Sequence, residues 1–276
     1  MDIITTVAEL RQRLKTESDI VLVPTMGNLH AGHLELVRTA QRHGRCVVVS
    51  IFVNPLQFGA NEDLDSYPRT LQEDCEKLRA IGTDVVFAPS EAEMYPTPQT
   101  ITVNPPPIAD ALCGTTRPGH FTGVATVVLK LFNIVQPQVA VFGKKDYQQL
   151  FIIRELVKQL NLPIDIVGVA TQRDADGLAL SSRNGYLNPA ERLEAPRLQR
   201  ALQLAAEAAS KGGDFAVIEA QTTQYLTQLG WIVDYVAIRS AATLLPPREE
   251  ERHLVVLAAA RLGRTRLIDN IEFSLD

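Results

Sequence analysis

Ile20-Val21-Leu22-Val23-Pro24-Thr25-Met26-Gly27-Asn28-Leu29-His30-Ala31-Gly32-His33-Leu34 decides how this chain reads. Its opening residues are β-branched or aliphatic without a break, the composition of a strand covered on both faces. From residue 34 to 43 apolar positions recur three and four apart, the period of a helix packed along one side. Between strand and helix stands a turn with two glycines and two imidazoles. Gly27 and Gly32 permit a ligand to approach the backbone closely, and the free amides and dipole of the helix start favour negative charge. His30 and His33 are three residues apart, so both rings can point into one pocket and donate to phosphate oxygens as charge moves onto a leaving pyrophosphate. A zinc pair and two surface histidines are the alternatives. No neighbouring Cys or acidic residue completes a metal set, and the buried strand followed by Pro-Thr-Met-Gly favours nucleotide binding.

Outward from this unit the same alternation continues. Residues 46–53, 85–88, 139–142 and 164–170 are further strand-like runs, and 69–81, 123–135 and 148–160 carry helical spacing. Strands alternating with helices predict a Rossmann-like α/β fold: a parallel sheet with helices on both faces and ligands at the carboxyl ends of the strands. The composition changes after Asn188. Helix-rich sequence at 189–210 and 215–229 precedes strand-like runs at 231–239, 253–261 and 265–273, which predicts a smaller α+β domain. The boundary falls between 172 and 190, giving domains 1–173 and 174–276, the second closing over the site. Asn104-Pro105-Pro106-Pro107 is a rigid loop, since proline fixes φ and removes a donor.

The 276 residues are 46% hydrophobic, enough for a full core. A net charge of -5 disfavours nucleic-acid or anionic-membrane partners as a general property. The three cysteines form no CxxC pair, as expected of reduced thiols in a cytoplasm. The first residues, MDIITTVAELRQRLK, lack the apolar stretch of a signal peptide, and no segment approaches the roughly 20 apolar residues of a membrane span. A soluble, cytoplasmic protein is expected.

Four further blocks carry candidate chemistry. Ser50-Ile51-Phe52-Val53-Asn54-Pro55-Leu56-Gln57-Phe58-Gly59 runs a strand into a loop with an amide pair, Asn54 and Gln57, able to meet the hydroxyl and carboxylate of a small polar acid; a plain Asn-Pro turn is the alternative. Arg117-Pro118-Gly119-His120-Phe121 sets a fixed cation before a glycine turn, suited to a carboxylate or phosphate or to the surface. Phe142-Gly143-Lys144-Lys145-Asp146-Tyr147-Gln148-Gln149 leaves the carboxyl end of a predicted strand, where α/β sheets place ligands. Leu180-Ser181-Ser182-Arg183-Asn184 puts two hydroxyl donors beside a permanent cation, an arrangement that can hold β- and γ-phosphates. The acidic pair Glu73-Asp74 and Lys144 read as solvated helix positions. The segment 58–65, rich in Gly, Asn, Glu and Asp, reads as a gate over the site.

The strand, turn and His30-Ala31-Gly32-His33 string resembles the signature of the HIGH-motif nucleotidyltransferases. All five motifs, in order, are similar to those of the pantothenate synthetase family. The resemblance implies an ATP-dependent ligase that activates pantoate as its adenylate and passes the acyl group to β-alanine. It implies ATP contacts from Pro24, Thr25, Met26, Gly27, His30, Gly32, His33, Gly143, Lys145, Asp146, Leu180, Ser181, Ser182 and Arg183. Within that set Lys145 serves the phosphates and Gly143 and Asp146 the ribose. Pantoate falls to Asn54, Gln57 and Gln149, and β-alanine to Gln57 and Arg117, with pantoate or a purely structural role as alternatives for Arg117. His30, His33, Lys145, Ser181, Ser182 and Arg183 are the implied catalytic set. No protein metal site is implied, magnesium entering with ATP, and a homodimer is expected. A nucleotidyltransferase making a dinucleotide cofactor is the enzymatic alternative, and a nucleotide sensor without turnover the non-enzymatic one. The sensor leaves Asn54, Gln57 and Gln149 without a role.

Overall fold

The computed structural model describes residues 1–59 and 62–275. In chain order the elements are β1 (Asp2–Ile4), α1 (Val7–Leu14), β2 (Ile20–Thr25), α2 (Ala31–Ala40), β3 (Cys46–Ile51), α3 (Leu71–Ala80), β4 (Val85–Phe87), α4 (Glu91–Met94) and α5 (Cys113–Thr116). There follow α6 (His120–Val135), β5 (Val139–Gly143), α7 (Tyr147–Gln159), β6 (Asp165–Val169), α8 (Pro189–Glu194), α9 (Arg197–Ser210), α10 (Phe215–Gln228), β7 (Ile232–Ser240), β8 (His253–Leu262) and β9 (Thr265–Ser274).

β1 to β6 form one parallel sheet in the order β1-β4-β3-β2-β5-β6. The central strands alternate their side chains between two cores, as the period of two requires. Leu22 and Val48 pack with α1, α6 and α7 on one face, and Val21, Val23, Val47 and Val49 pack with α2 and α3 on the other. The strand order reverses between β2 and β5, which makes their carboxyl ends the crevice where an open α/β sheet takes ligands. The predicted sheet is therefore present, with β1 and α1 as additions. β1 has three residues and only Ile4 is buried, too little pattern to read from sequence.

α6 brings the far wall of the crevice against the loop after β3. A Cβ on Gly123 would lie 2.1 Å from the Leu56 carbonyl oxygen, so only glycine lets helix and loop touch here. The remaining strands, β7-β8-β9, form a separate antiparallel sheet with its own core, built on Leu202, Leu226, Trp231 and Ile238. Trp231 is buried and its Nε1 donates to Glu194 at 3.2 Å, which satisfies the polar end of the ring. The helix-rich stretch at 189–210 is two helices, α8 and α9, broken at Ala195-Pro196, because proline cannot continue the hydrogen-bond ladder.

Candidate active site

The carboxyl ends of β2, β3 and β5 and the loop before α8 enclose a cavity of about 170 Å³. Pro24, Thr25, Met26, His30, His33, Asn54, Gln57, Lys145, Asp146, Gln149, Ser181, Ser182 and Arg183 all line it. Residues up to 159 apart in sequence thus meet at one place, and the apolar floor comes from Phe52, Phe142 and the Val124, Val127, Val128 and Leu131 face of α6. A second cavity of about 370 Å³ adjoins it through Lys145, Asp146, Ser181 and Arg183 and runs toward β8 and β9. Gly27, Gly32, Gly143 and Leu180 are not among the residues that line the smaller cavity: the Leu180 amide donates to Gln172 O at 2.9 Å, and Gly143 closes β5.

His30 is the N-cap of α2, which begins at Ala31, three residues earlier than its apolar spacing indicates. Its Nδ1 accepts from the Gly32 amide at 3.2 Å, and His33 Nδ1 accepts from the His30 amide at 3.3 Å. Two orphan amides of the helix start are satisfied, and each ring is fixed with its proton on Nε2. Burial, with Lys145 next in weight, holds the His30 imidazole down to about 4. Burial, His30 and Lys145 hold His33 down to about 3. Both rings are neutral at pH 7 and offer Nε2–H as a donor. The ring centroids lie 4.1 Å apart. Gly32 serves this arrangement, since a Cβ there would meet His30 Cε1 at 2.9 Å.

Asn54 is 1% exposed. Its Nδ2 donates to Gln57 Oε1 at 3.1 Å and to Gly123 O at 3.2 Å, while its Oδ1 accepts from Leu56 N and from the Tyr95 hydroxyl at 2.7 Å. Gln57 Nε2 lies 3.1 Å from the Met26 sulfur. A thioether is a weak acceptor, so this amide retains donor capacity for a better partner. Tyr95, which sequence reading passed over, thus fixes the amide pair from α4's end. Only its lone aromatic ring after an acidic turn marked it.

Lys145 Nζ lies 3.3 Å from Asp146 Oδ2. Burial works against the Asp146 carboxylate, and the Lys145 ammonium together with the more distant Arg183 and His120 holds the group low. The strand β9 supports this segment from the other sheet. Asn270 Nδ2 donates to both Lys144 O and Lys145 O at 2.9 Å, and Glu272 takes Lys144 Nζ at 2.6 Å and the Tyr147 hydroxyl at 2.8 Å. Lys144 is therefore ion-paired across the two sheets, where a solvated position was expected. Asp74 likewise departs from a solvated helix face. It is fully buried and accepts from the amides of Asn28 at 2.8 Å and Leu29 at 2.7 Å.

Arg183 forms a two-point pair with Asp63 at 2.9 and 3.0 Å, and Arg117 one with Glu62 at 2.6 Å on both arms. Arg117 lies outside the smaller cavity and lines the larger. His120 Nδ1 is 2.8 Å from Gln57 O, and burial with Arg117 beside it pushes this imidazole down to about 4. The segment 58–65 is thus tied to both arginines through Glu62 and Asp63; Ala60 and Asn61, which also belong to the expected gate, lie outside the described residues. Ser182 Oγ donates to Asn28 O at 3.1 Å, joining the Ser181-Ser182-Arg183 loop to the turn after β2.

Neutral imidazole donors, an ammonium, two hydroxyls and a guanidinium around one crevice, beside a fixed amide pair, have the chemistry to meet a polyphosphate next to a small polar acid. The comparisons agree with that chemistry. Residues 2–272 match the family model described as pantoate-beta-alanine ligase. A pantothenate synthetase of Methylobacillus flagellatus is 67% identical over 100% of this chain and 99% of its own length. One of Neisseria meningitidis is 59% identical, covering 100% of both chains. The crystal structure of a pantothenate synthetase from Thermus thermophilus superposes with a TM-score of 0.94 at 47% identity, over 98% of this chain and 99% of that one. The Francisella tularensis pantoate-beta-alanine ligase, solved in complex with beta-gamma ATP and beta-alanine, does so with a TM-score of 0.84 at 34% identity over 98% of this chain and 97% of that one. On its motifs, its fold and these matches over its whole described length, the chain belongs to the pantoate-beta-alanine ligase family.

Proposed function

We propose that this chain condenses (R)-pantoate with β-alanine to pantothenate, turning ATP into AMP and pyrophosphate by way of a pantoyl adenylate. In the first half-reaction a pantoate carboxylate oxygen attacks the α-phosphorus, and the bond to the β-phosphate oxygen breaks with its electron pair leaving on pyrophosphate. In the second the free amine of β-alanine attacks the acyl carbon, loses a proton and expels AMP. No protein nucleophile is needed, because the adenylate already carries a good leaving group. What supports this reading above all is the single crevice shared by the imidazoles, Lys145, the Ser181-Ser182-Arg183 loop and the Asn54–Gln57 amides.

In this scheme His30 and His33 donate from Nε2 to oxygens of the triphosphate. Lys145, Ser181, Ser182 and Arg183 neutralise charge as it develops on pyrophosphate, and Gln57, held by Asn54, orients pantoate with Gln149. Gly143 and Asp146 receive the ribose, and the backbone at Pro24–Gly27, Gly32 and Leu180 lines the nucleotide. Arg117 and Gln57 take β-alanine. Arg183 must exchange Asp63 for phosphate, so binding of ATP re-sorts the ion pairs of the segment 58–65 and couples it to closure. Magnesium is read as carried in on the triphosphate, where it would supply charge neutralisation. Residues 1–173 and 174–276 are read as two domains, the second closing over the site, in a cytoplasmic homodimer.

The test is AMP release with ATP, magnesium and D-pantoate, with and without β-alanine. Turnover that needs both acids and falls at least about 100-fold in His33→Ala and Gln57→Ala is the expected result. AMP formation indifferent to pantoate would refute the substrate assignment.

A further inference from the structure

The turn that carries the imidazoles runs through the left-handed region, which glycine enters freely and asparagine at modest cost. Gly27 has φ +83° and Asn28 φ +50°, two consecutive left-handed residues, and the second is not glycine. Other conformations are open to a Gly-Asn pair, so this one is held by what surrounds it. Here the imposing group is Asp74, in the first turn of α3 and 0% exposed. Its Oδ2 accepts from the Asn28 amide at 2.8 Å and its Oδ1 from the Leu29 amide at 2.7 Å. Thr70 Oγ1 donates to Oδ2 at 3.1 Å, and Lys77 Nζ lies 3.9 Å from Oδ1. The same Lys77 Nζ donates to the Leu29 carbonyl at 2.9 Å, so carboxylate and cation hold the two peptide groups that flank the Leu29 Cα. A buried carboxylate with this many partners is costly to place and serves position rather than stability alone.

We propose that Asp74 is a positioning residue for the reaction: its carboxylate, braced by Lys77 and Thr70, holds the Gly27–Leu29 turn and thereby sets where the His30 and His33 imidazoles present their Nε2 donors. The proposal deepens the functional reading above and rests on it for the reaction, though not for the geometry. Leu29 immediately precedes the N-cap His30, so a shift of the Leu29 amide is passed to both rings through the α2 cap. The effect runs through the backbone. The charged groups that act on His30 are Lys145, Asp146, Lys77 and Asp174, and His33 is reached by Lys145, Asp146 and Lys77 with His30 itself.

The experiment is Asp74→Asn in the full chain, read by the pH titration of ¹³C-labelled histidine Cε1–H signals and by ATP–pyrophosphate exchange with pantoate. An amide side chain can accept from one of the two backbone donors and opposes the other. The variant is expected to displace the His30 and His33 midpoints from their values of about 4 and about 3. It is also expected to lower kcat/KM for ATP by about 10- to 100-fold, with the pantoate KM within about twofold. Adding Asn28→Gly, which takes the left-handed φ without steric cost, restores part of that loss. Should Asp74→Asn fail to fold, Thr70→Ala, which removes one brace, is read the same way and shifts both signals in the same direction by less. Imidazole midpoints identical to wild type in the folded variant overturn the proposal. Absence of exchange in the wild type would instead refute the assigned reaction, while the titration still decides the role of Asp74.

Discussion

Gly32→Ala separates the stability of this site from its chemistry. The added Cβ would lie 2.9 Å from His30 Cε1 and 3.0 Å from its Nδ1, roughly 0.5 Å inside ordinary carbon contact. The nearest backbone is not in the way, so the ring moves and the helix stays. Gly32 sits in the first turn of α2 with no positive φ, and alanine there favours the helix by up to about 1 kcal/mol. Folding should therefore be unharmed or improved. The imidazole, however, loses its bond from the Gly32 amide and with it the fixed tautomer that presents Nε2–H. Loss of one preorganised donor at developing charge costs roughly 10²- to 10³-fold in rate, and a partial displacement of the ring should fall near the lower end. The expected result is a kcat for adenylate formation about 100-fold below wild type with a Tm equal or higher, measured by single-turnover quench and calorimetry. Wild-type kcat in a folded Gly32→Ala enzyme would refute the idea that this glycine makes room for a working imidazole.

Other residues yield sharper contrasts between half-sites. Tyr95→Phe removes the hydroxyl that Asn54 Oδ1 accepts at 2.7 Å and should raise the pantoate KM by about 3- to 10-fold with the ATP KM unchanged; an unchanged pantoate KM contradicts this. Asn270→Ala frees the Lys144 and Lys145 carbonyls and should lower kcat by about 10-fold or more in steady-state assays while far-UV dichroism stays the same. The buried imidazoles also set an acid limit on stability. His30 and His120 are held to about 4 and His33 to about 3, below the 6.5 of an unfolded chain. The unfolded state therefore binds protons first as pH falls, and the stability these rings contribute is complete above 6.5 and lost as pH falls through about 4 for His30 and His120 and about 3 for His33. Each accounts for up to roughly 1.4 kcal/mol per pH unit in that window. Urea midpoints should fall between pH 7 and about pH 5, and equal midpoints would contradict neutral burial.

The parallel sheet was legible because β2, β3 and β5 are apolar on both faces, and a run such as Cys46–Ile51 has few other folds to belong to. Three of the motifs that meet in the crevice were placed for a related reason: they follow the carboxyl ends of β2, β3 and β5, where the topology brings loops together, whereas Ser181-Ser182-Arg183 lies well beyond the end of β6. Side chains whose role lies in distant contacts were not. Asp74 stands among Glu73, Glu76 and Lys77 and looks like any charged helix face, yet its oxygens are bound to amides 45 and 46 residues away. Asn270 and Glu272 lie on a strand of the other sheet, and nothing local marks them as supports for Lys145. The start of α2 was misplaced because apolar spacing begins at Leu34, whereas the helix is capped by a histidine, a residue type outside the usual capping set.

In the proposed reaction pantoate and ATP form an acyl adenylate in the crevice before β-alanine is needed. Pantoate-dependent exchange of labelled pyrophosphate into ATP, measured without β-alanine, isolates that step. Exchange that requires D-pantoate and magnesium, and that falls at least about 100-fold in Lys145→Ala, is the expected outcome. Exchange that proceeds without pantoate, or that appears only once β-alanine is added, would rule out an adenylate made from pantoate alone.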